Sequence, residues 1–137
     1  MSRKPLDLRE IERFIQAHIG PEFHDKKLVK LKALKLEDIL RRKNPYLFKA
    51  KRTQSANDFI KAVLDATVSS DEETVFGNFL EMIAIHVCQQ VFEGRKSVTR
   101  GIDLDFEDGS DKYLVSIKSG PNWGNANQIK AMVRNFH

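Results

Sequence analysis

The sequence predicts an α+β fold, on three observations. Apolar residues recur at helical spacing from Leu6 to about Glu93. After Gly94 the period drops to two, and a turn-forming run, Glu107-Asp108-Gly109-Ser110-Asp111, separates two alternating segments. A polar, cap-like stretch then opens one more helix that runs to the C-terminus.

In order, Leu6 to Ile19 places Leu8, Ile11, Phe14, Ile15 and Ile19 on one helical face, and Gly20-Pro21 is expected to stop it. Lys26 to Lys35 alternates apolar and basic residues, an amphipathic segment. A short helix over Leu36 to Lys43 should end at Asn44-Pro45, because the residue before proline disfavours the α region. Ser55 to Val68 reads as a further helix, opened by Ser55 with Asp58 three residues on. Ser70 and Glu73 repeat that capping pattern and start a separate helix to about Glu93. It is so apolar that burial nearly all round is expected. Lys96 to Arg100 is a short strand candidate. Gly101 to Phe106 and Tyr113 to Lys118 form a β-hairpin, Ser119 to Gly124 a loop, and Asn125 with Gln128 caps the last helix.

The 137 residues suit one compact domain, or two segments divided as 1–68 (basic, helical) and 69–137 (the core). A 41% hydrophobic content is enough for a core, and the single cysteine excludes a disulfide framework or a multi-cysteine zinc site. No apolar run reaches the roughly 18 residues of a bilayer span and no signal-peptide pattern opens the chain, so a cytoplasmic protein without a membrane partner is expected. The net charge of +4 hides an asymmetry. Between His24 and Arg52 eleven Lys/Arg face three acids, a local excess of +8, which leaves the remainder at −4. Such a segment suits a phosphate-bearing partner, and equally a solvated helix face.

The hairpin carries the chemistry. Asp103 and Asp105 share one strand face, Ser116 and Lys118 one face of the next, and the expected pairing sets Asp103 opposite Lys118 and Asp105 opposite Ser116. Glu81 is the one charged residue between Glu73 and Glu93; an acid within so apolar a helix needs a partner, and Gly77 on the same stripe permits close approach. Carboxylates from two elements are what a hard divalent cation requires, with a lysine to steady charge on phosphorus. A cross-strand salt bridge beside a solvated acidic turn is the plainer alternative.

Ile102-Asp103, the hairpin, Ser116-Ile117-Lys118 and the preceding helix with Glu81 resemble the PD-(D/E)xK nuclease superfamily. More narrowly, Phe76-Gly77-Asn78 and the string Ser116 to Asn125 resemble PmeII-type type II restriction endonucleases. The likeness covers the C-terminal half well and the N-terminal half loosely. It implies a restriction-endonuclease-like core and Mg²⁺-dependent hydrolysis of double-stranded DNA, with a homodimer cutting both strands. Carried over residue by residue, the catalytic group is Glu81, Asp103, Lys118 and Ser116, and the metal ligands are Glu81, Asp103, Asp105 and the Ile117 carbonyl. Ser116 departs from the pattern, since most members carry an acid there; Glu81 and Asp105 are the candidate replacements. The chain also ends where the family core usually adds a strand, so the last core strand is expected to be missing.

Candidate DNA-binding residues are Lys26, Lys27, Lys30, Arg41, Arg42, Lys43, Lys49, Lys51 and Arg52 of the basic segment. Asn122, Trp123, Asn125, Lys130 and Arg134 follow the hairpin; the asparagines serve as well for turns and caps, and Trp123 as a lid on the core. His86 reads as a satisfied core histidine and Cys88 as a small core residue. A non-catalytic nucleic-acid-binding module, a repair or junction nuclease of the same superfamily and a helical protein-interaction domain are the rival readings.

Overall fold

The computed structural model describes residues 3–51, 55–120 and 124–136. The fold is α+β, as expected: six α-helices, a π-helical turn and one three-stranded antiparallel sheet among the described residues. The chain divides into two compact units. One holds the chain up to Gly20 and again from Gly77 onward; the other is Pro21–Phe76. The first helix therefore groups with the C-terminal part, a division that differs from one at residue 68.

In the first unit, α1 (Leu8–Ile19) starts at Asp7, whose carboxylate accepts from the Arg9 and Glu10 amides. Gly20-Pro21 does not stop the chain's helical course. A π-helical turn over Gly20–Asp25 follows α1 and precedes α2 (Lys26–Ala33) of the second unit; Pro21, with no N–H to donate to the carbonyl four residues back, falls where the α-helical ladder gives way to that turn. In the second unit α3 (Leu36–Arg41) ends near Asn44-Pro45 as expected, but those two residues also open α4 (Pro45–Ala50). Asn44 caps the Tyr46 amide at 3.0 Å and proline takes the first helical position. The core of this unit is Ile39 and the fully buried Val63, with Leu34, Phe59 and Leu64 packed around them.

The two helices expected on either side of Ser69-Ser70 are one, α5 (Ala56–Phe92). The Ser55–Asp58 box forms, with the Asp58 amide donating to Ser55 Oγ at 3.1 Å. The Ser70–Glu73 box does not, since Ser70 Cα is already inside the helix and its carbonyl accepts from Thr74 Oγ1. Helix propagation costs less than a break and a second nucleation. By length and composition α5 would pass for a membrane span, contrary to the expectation that no segment would. Two of its polar residues are paired with other elements: Glu81 with Lys96, and His86 with Glu10 of α1. Nor is it buried all round: Val75, Phe79 and Cys88 are buried, but Phe76 is 44% exposed.

At the end of α5, Glu93 takes φ 55° and Gly94 provides space rather than a turn: a Cβ there would stand 2.9 Å from Phe106 Cβ and 3.0 Å from the Asp105 carbonyl. The strands β1 (Arg95–Lys96), β2 (Leu104–Asp108) and β3 (Asp111–Val115) follow in that order across the sheet. The turn falls at Gly109-Ser110, with φ 68° at the glycine. Phe92, Phe106 and Tyr113 stack in a row, with centroids 4.5 and 4.8 Å apart, and fasten the hairpin to the end of α5. Helix α6 (Ala126–Phe136) opens on the expected reciprocal cap, Gln128 amide to Asn125 Oδ1 at 3.0 Å and Asn125 amide to Gln128 Oε1 at 3.1 Å.

Candidate active site

The ladder corrects the expected pairing by two residues. Leu104 faces Val115 and Asp105 faces Leu114, so continuing the register brings Asp103 to Ser116 rather than to Lys118. A turn centred on Gly109-Ser110 dictates that register. Since side chains alternate with period two, a shift of two leaves every residue on its expected face. Asp103 and Lys118 still meet, on a diagonal.

Asp103 lies just before β2, and its backbone is held on both sides: its amide donates to the Val115 carbonyl at 2.9 Å and its carbonyl accepts from the Ser97 amide at 3.1 Å. Its carboxylate is half-buried and gathers the end of the hairpin. Oδ2 accepts from the Ile117 amide and from Ser116 Oγ at 3.3 Å, and Lys118 Nζ stands 3.7 Å away. Lys118 also donates to the Ile117 carbonyl at 3.1 Å. One carboxylate thus organises a backbone amide, a hydroxyl and an ammonium within three consecutive residues. The two donors on Oδ2 fix the orientation of the carboxylate.

The other two acids have different partners. Asp105, 6% exposed, takes Arg95 Nε at 3.0 Å across the β1–β2 pair. Glu81 takes Lys96 Nζ at 3.3 Å. Among the described residues no group of three acid, histidine or cysteine side chains stands together as a ready metal cluster. Glu81 is linked to the sheet through its lysine partner, and its helical face approaches the hairpin's exit at Gly77. Gly77, one turn earlier on its helical face, lies so close to the hairpin's exit that a Cβ would meet Ser119 Oγ at 3.0 Å. Lys96, its partner, faces Leu104 in the sheet, next to Asp103.

Sequence reasoning missed Arg95 and Lys96, the cations that neutralise Asp105 and Glu81. The available signal was that each such acid needs a partner, and these two bases follow directly on the helix that carries Glu81. His86 is the satisfied core histidine expected: Nε2 lies 2.9 Å from both Glu10 oxygens and the ring stacks on Phe14 at 3.7 Å. Cys88 is buried, and burial, with a smaller contribution from the Asp105 charge, pushes its thiol up.

Of the proposed DNA contacts, four in the basic segment already have acid partners: Lys26 with Glu22, Lys27 with Glu72, Lys30 with Asp71 and Arg41 with Glu37. Arg42, Lys43, Lys49 and Lys51 have none among the described residues. Asn125 spends its side chain on the α6 cap, and Lys130 and Arg134 are exposed on that helix. Arg52, Asn122 and Trp123 lie outside the described residues.

A family model described as type II restriction endonuclease EcoO109I matches residues 9–137. No curated protein matches the chain. No solved structure matches it either.

Proposed function

The chain belongs to the type II restriction endonuclease EcoO109I family, and on that premise we propose that it hydrolyses phosphodiester bonds of double-stranded DNA with Mg²⁺, using Asp103, Lys118 and Glu81. The observation that carries this reading is the Asp103 carboxylate with Ser116, Ile117 and Lys118 gathered on it. That donor set fits magnesium, which keeps several waters and needs only one or two protein carboxylates beside the substrate's phosphate. Asp103 and the Ile117 carbonyl would hold the ion. We assign Glu81 as the second acid because, although each acid pairs with an exposed cation, the Glu81 side chain is 26% exposed and that of Asp105 only 8%. When bound, the ion supplies Lewis acidity at the scissile phosphate and lowers the pKa of water.

The chain's own part is positioning. Asp103 fixes the Lys118 ammonium beside the carboxylate, where it can orient the attacking water and offset the charge that develops on the phosphoryl oxygens. Ser116 Oγ and the Ile117 amide hold the Asp103 side chain in one rotamer, so a hydroxyl takes over the orienting half of the role that an acid at 116 would play. A duplex has two strands, so two copies of the chain, each with one such site, make the simplest arrangement for a double cut. DNA in the cytoplasm is the substrate this assignment calls for.

One feature favours a second reading, DNA binding without cleavage: no three-acid cluster is present among the described residues. Plasmid nicking with Mg²⁺ separates the two. The wild type should cut, and Lys118→Ala should cut about 10²–10³-fold more slowly at an unchanged melting temperature. Equal rates for the two proteins would remove the nuclease assignment.

A further inference from the structure

We propose that the Pro21–Phe76 unit carries its own phosphate-binding cleft, built by Lys35, Arg42 and Lys43, and that its ligand is the sugar-phosphate backbone of nucleic acid. The cleft, about 430 Å³, opens between the α2–α3 segment and α5 residues of the same unit. Its floor is apolar, with Leu34 and the buried Ile39. Its charge is what distinguishes it. Four cations line it against two acids, and Lys30 and Asp71 offset each other at 3.5 Å. Lys35, Arg42 and Lys43 then face Asp38 alone, and none of the three has an ion-pair partner among the described residues.

The placement follows from α3. Lys35 caps its start, Arg42 its end, and Lys43 comes next, so the cations stand at both ends of a helix whose Ile39 is anchored in the core beside Val63. Seven residues of helical rise separate Lys35 from Arg42 by about 10 Å, too far apart for one carboxylate and suited to successive phosphates of a strand. Lys26 and Arg41, by contrast, are tied to acids four residues away on their own helical faces. The basic segment therefore holds two kinds of cation: those that support helices and those free for a polyanion. Lys35, which no motif singles out, is of the second kind.

The inference rests on the DNA-substrate reading for its ligand but not for its site. Its test is the salt dependence of binding to a fluorescent 30-base-pair duplex, measured by anisotropy without divalent cation so that nothing is cut. A K35Q/R42Q/K43Q variant that melts like wild type should weaken binding at least tenfold at 0.1 M salt. It should also flatten the slope of log K against log [salt] by about 2–3, one contact per lost cation. Lys26→Gln with Arg41→Gln should leave the slope unchanged. Thymidine monophosphate serves as a second ligand: if the triple variant loses its binding while the duplex slope stays at the wild-type value, the cleft takes free nucleotide and the proposal is overturned. An unchanged slope with no nucleotide binding overturns it as well. Failure of the nuclease assignment looks different, since a wild type that does not nick plasmid but shows the slope change in the variant keeps the cleft.

Discussion

The hairpin end and the basic helical segment both concentrate charge, and they do so by opposite means. Around Asp103 the charged and polar groups come from residues 13 to 15 positions away, brought together by strand register. Among the described residues of the Pro21–Phe76 unit, half of the ion pairs, Lys26–Glu22 and Arg41–Glu37, are made at i,i+4, and the rest join α2 to the Asp71-Glu72 stretch of α5. Exposed i,i+4 pairs contribute only about 0.3–0.5 kcal/mol and are screened by salt. A carboxylate held by an amide, a hydroxyl and an ammonium at a strand end cannot turn away. That rigidity is what catalysis requires and what a phosphate grip does not.

The sharpest way to break the comparison is at the two aspartates of the hairpin. Asp103→Asn keeps an acceptor for the Ile117 amide but removes the charge that positions Lys118, so Mg²⁺-dependent nicking should fall by at least about 10²–10³-fold. Asp105→Asn should do something else. It leaves Arg95 without its acid, so the cost appears as a lowered melting temperature, while the cleavage rate per folded molecule stays within about threefold. If the two variants lose activity equally, Asp105 rather than Glu81 supplies the second carboxylate.

Next in size is a packing effect. Gly94 sits where α5 meets the sheet, and Gly94→Ala would press a methyl against Cys88 Sγ, Phe106 Cβ and the Asp105 carbonyl. Overpacking of this kind costs about 1–3 kcal/mol, readable as a lowered urea midpoint. Gly77→Ala makes a useful contrast: its one close neighbour is a rotatable serine hydroxyl, so it should cost well under half as much. Equal destabilisation would mean that the Ser119 end of the hairpin is as rigid as the Gly94 junction.

Legibility in the sequence followed the same division. Local signals are legible: the Ser55–Asp58 and Asn125–Gln128 boxes, the turn-forming run between β2 and β3 and the change of period at Gly94. The α+β class follows from those alone. What failed were boundaries that depend on competition. Ser70 and Glu73 have the form of a cap, but a helix already under way outcompetes it. Asn44-Pro45 signals an end, yet the pair is also a good beginning. In the candidate site the residue types and faces were legible because alternation preserves them. The diagonal placement of Lys118, and the engagement of Asp105 by Arg95 and of Glu81 by Lys96, were not, since they depend on which cation a neighbouring strand delivers.

The smallest expected effect concerns the N-terminal segment, where charge holds a backbone that is already fastened. Lys4 donates its amide to the Val91 carbonyl at 3.2 Å and its ammonium to Glu93 at 2.8 Å. The hydrogen bond from Lys4, and then its charge, holds the Glu93 carboxyl below the usual carboxylate range. A carboxyl depressed in the folded state stabilises above its unfolded pKa, and the contribution disappears as pH falls through the folded value. The wild type should therefore lose slightly more stability than Glu93→Gln between about pH 5 and pH 3. Both groups are exposed, so the difference should vanish in 1 M salt, where the screening length is about 3 Å. A difference that survives high salt would show the pair to be held as rigidly as the groups on Asp103, and the contrast between the two kinds of charge would no longer stand.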